Sequence, residues 1–309
     1  MKILGIGNAI VDVICKVEED FIDKNNLTKS NMKLIFDEKE FKRLFTNLKI
    51  EKTISGGSVA NSIVGLSQLG NDVGFIGKVS DDELGNKYEE GLKNENVNFI
   101  YDKKKELIPT GTCLILITPD SERTMCTFLG ISGKISGNDI STEALEKSDM
   151  IFLEGYLWDE GDQKKAFDKA ISRSNKVAMS LSDKFCVDRH KHHFLELVKN
   201  KLDITFANED EITSLINAKK FEEIIEFGKE IKKLLVVTRG DKGSISIYRN
   251  KVTEIGINKG LNIVDLTGAG DLFAAGYLDS YLKKFSQEDC LKKGTEMSSK
   301  IIQQIGARL

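Results

Sequence analysis

Asp265-Leu266-Thr267-Gly268-Ala269-Gly270-Asp271 joins an apolar run that reads as a strand, Asn262 to Val264, to a helical run beginning at Leu272. Small residues at 268 to 270 let successive backbone N–H groups converge, and the following helix aims the positive end of its dipole at the same point. That combination makes an anion site. A carboxylate at its mouth repels phosphate, so Asp271 suits another task, taking a proton from a hydroxyl that attacks the phosphate. The same residues would also make an ordinary tight turn with Asp271 capping a helix. This stretch alone supports the two readings equally.

Other stretches can be weighed in the same way. Thr238-Arg239-Gly240-Asp241-Lys242-Gly243 closes an apolar run and could cradle a nucleotide through backbone N–H groups and the Thr238 hydroxyl, although a hairpin turn uses the same residues. Asn208-Glu209-Asp210-Glu211 also follows a strand-like run. Its acids favour a helix N-terminus, and some could orient a hydrated Mg²⁺, which keeps several waters and takes few protein ligands. Gly5-Ile6-Gly7-Asn8-Ala9-Ile10 lacks the third glycine of a dinucleotide fingerprint and continues as strand, so it is rejected. Gly130-Ile131-Ser132-Gly133-Lys134-Ile135 fails the Walker P-loop in spacing and in its last residue. His190, His192 and His193 lie in a charged helical stretch without cysteines at ligand spacing, which reads as a solvated face.

The elements that must position these groups alternate along the chain. Lys2 to Gly7 and Ala9 to Val17 read as strands broken at Asn8, and a charged excursion follows from Glu18 to Lys52. Ser58 to Gly70 has helical spacing and a glycine stop. A strand over Asp72 to Val79, a helix over Asp82 to Asn94 and a short strand over Val97 to Tyr101 come next. Gly111 to Thr118 and Arg123 to Leu129 read as a hairpin turning at Pro119 to Glu122. From Met150 onward, short apolar runs at 150–153, 177–181, 204–206 and 234–238 are separated by helical patterns, as in a parallel sheet buried on both faces. A hairpin over 244–257 and two final helices, Leu272 to Lys284 and Gln287 to Gln304, complete a doubly wound α/β domain. Ligands of such sheets bind beyond the carboxyl ends of strands, where these polar residues are expected.

Composition narrows the partners. A chain of 309 residues with 40% hydrophobic and 30% charged residues and a net charge of -3 can bury a large core and has no basic surplus for nucleic acid or anionic membrane. No apolar run approaches the ~20 residues of a membrane span. The apolar start is interrupted by Asn8 and Asp12 and reads as a strand rather than a signal peptide. Five cysteines without a Cys-x-x-Cys pair suit a reducing, cytoplasmic setting.

Four motifs then occur in order: Gly56-Gly57-Ser58-Val59-Ala60-Asn61, Asn208-x-x-Glu211, Thr238-x-Gly240-x-x-Gly243, and Asp265-x-x-Gly268-Ala269-Gly270-Asp271. Together they resemble the ribokinase-like (PfkB) sugar and nucleoside kinases across nearly the whole chain. The resemblance implies ATP and Mg²⁺, with Asp271 as catalytic base and Gly268, Ala269 and Gly270 as anion hole. It further implies that Asn208 and Glu211 act on phosphate and Mg²⁺, with Glu211 working through water, and that Thr238, Gly240 and Gly243 hold nucleotide. Asp12, Gly56, Gly57 and Asn61 would hold the hydroxyl-bearing acceptor, with Asn8 and Arg123 beside them. A carboxylate can grip two vicinal hydroxyls and an amide both donates and accepts. Without the other motifs, Asp12 reads as a strand-end residue, Asn61 as an early-helix polar residue and Arg123 as an exposed hairpin arginine.

In this family a small sheet covers the acceptor as a lid. Residues 10–52 and 97–130 would supply it within one domain spanning 1–309, excluding water from phosphoryl transfer. The segments around Asp12 and Asn61 look most like the adenosine kinase branch, which favours a nucleoside over ribose or fructose. Leu266-Thr267 departs from both branches and keeps a sugar acceptor open. Phe36 or Phe128 could form a slot for a base, or could be lid core. A sensor that has kept the fold without the chemistry is the alternative class, but it has no physical reason to retain Asp271 beside phosphate. The resemblance also allows a monovalent cation near Asp265, which the residues themselves do not indicate, and either a monomer or a homodimer.

Overall fold

A computed structural model describes residues 2–309 apart from positions 47, 121 and 159–162. Among the described residues, fourteen strands form two sheets. They are β1 (Lys2–Ile6), β2 (Ile10–Lys16), β3 (Met32–Ile35), β4 (Ile50–Gly56), β5 (Asp72–Ile76), β6 (Asn98–Phe99) and β7 (Gly111–Ile117). After these come β8 (Arg123–Phe128), β9 (Met150–Glu154), β10 (Val177–Ser180), β11 (Ile204–Asn208), β12 (Leu234–Thr238), β13 (Ser244–Tyr248) and β14 (Lys251–Ile255). The large sheet runs β14-β13-β12-β11-β10-β9-β1-β5-β6. It is parallel from β12 to β6, with an antiparallel hairpin, β13 and β14, at one edge. The parallel strands read as continuous apolar runs because both faces are buried: β9 is buried at all five positions.

The small sheet runs β3-β8-β7-β2-β4. β2 is the link, since only Gly7 to Ala9 separate it from β1 of the large sheet. Its alternation places Val11 and Val13 in the core while Asp12, paired with Ile54 on β4 and Cys113 on β7, faces the other way. The boundaries differ from the expected lid in two places. β4 carries the small sheet to Gly56, and residues 98–99 pair with β5 of the large sheet instead.

Two helices sit at the centre. Helix Ser58–Gln68 is buried from Val59 to Leu66. It starts at Gly57, whose φ of 100° and whose approach to the Asn8 carbonyl leave no room for a side chain. Helix Ala269–Leu282 is buried from Leu272 to Ser280, apolar all round as a core helix must be. The two pack together where Gly65 meets Leu272 and Ala275.

The apolar run Asn262 to Val264 is not a strand. The backbone N–H groups of Val264 and Asp265 donate to the Ile302 carbonyl at 2.8 and 3.2 Å, and the run joins neither sheet. Ile263 and Val264 consequently stay exposed. The histidine cluster is also more than a solvated face. Helix Lys184–Asn200 kinks at His190, and His193 stacks on Trp158 with ring centroids 5.4 Å apart. Part of the turn expected at Pro119 to Glu122 lies outside the described residues. All five cysteines are buried and none is in a disulfide. Among the described residues, no helix is long and apolar enough to cross a membrane.

Candidate active site

Asp271 lies in the first turn of helix Ala269–Leu282, and both of its carboxylate oxygens are held from helix Ser58–Gln68. Ser58 Oγ donates to Oδ1 at 2.6 Å and Asn61 Nδ2 donates to Oδ2 at 3.0 Å. Ser62 Oγ donates to the Asp271 backbone carbonyl at 2.9 Å, tying the two helices together at this level. Burial raises Asp271 to about 6, against the lowering effects of Ser58, Asn61 and Arg308. The group is therefore ionised at neutral pH yet close enough to it to exchange a proton, and each oxygen keeps a lone pair for an incoming hydroxyl.

Asp271 lines one cavity, and its hydrogen-bond partner Asn61 lines a second. The first, of about 360 Å³, is lined by Asp271, Gly268 to Gly270, Asn208, Glu211 and Thr238. The Ala269 N–H is turned onto the Leu266 carbonyl at 3.1 Å. The N–H groups of Gly270 and Asp271 sit in the first helical turn and have no carbonyl of the preceding turn to meet. A side chain at Gly270 would meet nothing within 4 Å, so this face of the turn is open. Open donors at a helix N-terminus fit an anion.

Asn208 and Glu211 form a reciprocal capping box at helix Glu209–Ile216. Glu211 accepts from Asn208 N at 2.9 Å and from Asn208 Nδ2 at 2.7 Å. Burial raises it to about 7, and the Asn208 backbone donor opposes this. No group of three or more His, Cys, Asp or Glu residues is arranged to hold a metal among the described residues. The pair fits a hydrated Mg²⁺ held through water and does not form a direct cage. Thr238 lines the cavity, whereas Gly240 and Gly243 belong to the turn between β12 and β13, where Arg239 N donates to the Gly243 carbonyl at 2.8 Å.

The second cavity, of about 30 Å³, is lined by Asp12, Asn61, Ile115, Arg123, Thr267 and Arg308. It therefore lies between the small sheet and the loop before helix Ala269–Leu282. Gly56 sits directly against the Asp12 carboxylate. Burial lifts Asp12 to about 7; Arg308 lowers it and Asp271 raises it. Arg123 is not a free hairpin arginine, because its Nη1 pairs with Asp265 Oδ2 across the cleft. Burial opposes ionisation of Asp265, but donors from Gly306, Thr267 and Arg123 more than offset it and hold the carboxyl below its ordinary range. The expectation that the polar residues sit at the carboxyl ends of strands fails for three of them: Asp12 is mid-strand, Asn61 is in a helix and Arg123 is at the amino end of β8. Phe128 packs on Phe41 at 4.9 Å in the core of the small sheet, and Phe36 is 75% exposed.

Residues that sequence reasoning passed over complete the site. Ser58 adjoins the glycine pair and could have been read from that position. Glu154, 1% exposed at the end of β9, accepts from Asn8 N at 2.8 Å and Val59 N at 3.0 Å. It pins the β1–β2 crossover to the start of the helix that carries Ser58 and Asn61. Asn8 itself is buried, with Oδ1 unpartnered. Glu154→Ala would strand two buried backbone donors at about 1–3 kcal/mol each, so urea unfolding is expected to show a loss of about 2–6 kcal/mol. An unmoved midpoint would disprove the bridge. Arg308 has no local sequence signal at all.

The large, mostly parallel sheet flanked by helices, with a second small sheet beside it, defines a ribokinase-like α/β fold. Residues 6–309 match the model of the pfkB family carbohydrate kinases. The chain is 30% identical over 254 residues to an uncharacterized sugar kinase from Archaeoglobus fulgidus, covering 79% of this chain and 97% of that protein. Among solved structures it superposes on an adenosine kinase from Sinorhizobium meliloti with a TM-score of 0.90 and 34% identity, covering 100% of this chain and 95% of that one. It superposes on a probable sugar kinase from Rhizobium etli with a TM-score of 0.89 and 34% identity, covering 99% and 94%. The protein belongs to the pfkB family of carbohydrate kinases and is a phosphotransferase with an alcohol acceptor.

Proposed function

We propose that this kinase transfers the γ-phosphate of ATP to a primary hydroxyl of a nucleoside, adenosine in the first instance. The observation that supports the reading is Asp271, which lines the cavity at the glycine turn and is held at both oxygens by Ser58 and by Asn61, itself a lining residue of the second cavity. Gly268 to Gly270, with Thr238, would hold the phosphates of ATP, and Asn208 with Glu211 would hold Mg²⁺ through water. When bound, Mg²⁺ would offset charge on the transferred phosphoryl group. Asp271 takes the proton of the attacking hydroxyl, and Ser58 and Asn61 keep its carboxylate from rotating away. Asp12 grips vicinal hydroxyls of the acceptor, with Gly56 and Gly57 clearing the approach.

A small-molecule site is commonly ~300–1,000 Å³. The acceptor cavity, at about 30 Å³, is closed, so the small sheet acts as a lid that must lift to admit an acceptor. A sugar acceptor is the second reading, favoured by the lack of an aromatic residue lining the second cavity among the described residues: Phe128 is committed to the lid core and Phe36 faces solvent. ADP release measured with adenosine, other nucleosides, ribose and fructose decides between them. No acceptor-stimulated release, with tight acceptor binding, would reject the kinase reading in favour of a sensor.

Asp12→Ala is expected to raise the acceptor KM roughly ten- to a hundredfold, since about 1.5–3 kcal/mol attends a hydrogen bond to a charged group. Its kcat should change only a few-fold. Steady-state kinetics with an unchanged KM would remove Asp12 from the acceptor site.

A further inference from the structure

Arg308 follows the last helix, Gln287–Ile301, on a segment fastened under the anion turn. Gly306 N donates to Asp265 Oδ2 at 2.8 Å, and Ala307 packs against Gly268. This places the Arg308 side chain beside the acceptor cavity, where Nε donates to Asn61 Oδ1 at 3.2 Å. Asn61 in turn donates through Nδ2 to Asp271 Oδ2 at 3.0 Å. An asparagine amide has two ends that differ in polarity, and a cation fixed at the oxygen end forces the NH₂ end onto the carboxylate. Arg308 Nη2 is buried and has no protein partner. A guanidinium kept out of water with an unused donor is costly unless its charge is answered nearby.

We propose that Arg308 is a positioning residue for this reaction: through Asn61 it orients the Asp271 carboxylate, and its charge keeps Asp271 ionised beside Asp12. The proposal rests on reading Asp271 as the base. The groups around the pair come from several elements. Asp12 is on β2, Tyr88 is on helix Glu83–Asn94 with Glu95 just beyond it, and Glu154 ends β9 with Tyr156 following. Apart from the guanidinium, these are acids or phenols. Arg308 is the cation that lowers both Asp12 and Asp271, opposing their burial. The Arg123 cation at the same cavity is already committed to Asp265.

Two variants and two readouts test this. In Arg308→Gln, loss of a nearby opposite charge should raise the acid limb of kcat/KM by about one pH unit or more, with kcat at pH 7 falling roughly tenfold. A ¹³C-carboxyl NMR titration of aspartate-labelled protein, with Asp271 assigned through Asp271→Asn, should show the same upward shift with no acceptor present. Arg308→Lys keeps the charge but cannot reproduce the planar fork. It should hold the limb within a few tenths of a unit while kcat drops several-fold. An unmoved Asp271 titration in natively folded Arg308→Gln overturns the proposal. Where near-UV circular dichroism shows that the Gln variant has not folded, wild-type kcat in Arg308→Lys overturns it instead. Should Asp271→Asn retain full turnover, the base reading fails, and the carboxyl titration still reports separately on Arg308.

Discussion

Asp271→Asn is expected to lower kcat by roughly 10²–10⁴-fold, the usual contribution of a positioned general base, while acceptor affinity changes little. Asparagine has nearly the same shape, so the packing of the two central helices is retained. What disappears is the proton acceptor. One of the two donors that hold the carboxylate, Ser58 Oγ or Asn61 Nδ2, will then face an NH₂ group, which should cost about 1 kcal/mol of stability. The pH profile supplies a second check. With Asp271 raised to about 6 by burial, wild-type kcat/KM should fall tenfold per unit below that pH, because only the ionised form accepts a proton. The variant should show no such limb. Wild-type turnover in Asp271→Asn would return the motif to a plain turn and helix cap.

Gly268→Ala is expected to damage both folding and turnover. Residue 268 has a φ of 78°, where an L side chain is strained by roughly 1–2 kcal/mol. A Cβ there would also lie 2.7 Å from the Cα and Cβ of Ala307, and such overpacking costs about 1–3 kcal/mol. Together a loss of about 2–5 kcal/mol should appear in urea unfolding. kcat should fall at least tenfold, since the strain displaces the segment that carries Arg308 and tilts the N–H groups of the anion turn. Gly270→Ala separates the two effects, because a side chain there meets nothing within 4 Å. Its stability should match or slightly exceed wild type, as alanine favours a helix, while its KM for ATP should rise. Unaltered stability in Gly268→Ala would mean that the turn adopts another conformation.

Much of the fold was legible because its signals are local. Short apolar runs such as Met150 to Leu153 and Leu234 to Thr238 are strands buried on both faces, and Gly57 and Gly268 mark places where the backbone must adopt a positive φ. The misread elements are those whose state depends on neighbours. Asn262 to Val264 has strand composition, but it pairs with no strand, and the Ile302 carbonyl takes the N–H groups of Val264 and Asp265. The short strand near Phe99 joins the large sheet because β5 offers it an edge. His193 belongs with Trp158, a contact that no spacing rule within one helix reveals.

The amino-acid sequence by itself determined the glycine turn before Asp271, the helix start at Asn208 to Glu211, and the order of the motifs, since hydrogen bonding over three or four residues and glycine backbone freedom act along the chain. Only the tertiary structure decided what surrounds Asp271. Asp12 on β2, Asn61 in a central helix, Glu154 at the end of β9 and Arg308 beyond the last helix are brought together by packing across two sheets. Burial shifts the ionisation of Asp12, Glu154 and Arg308, and no residue carries that burial in its own neighbourhood of the chain.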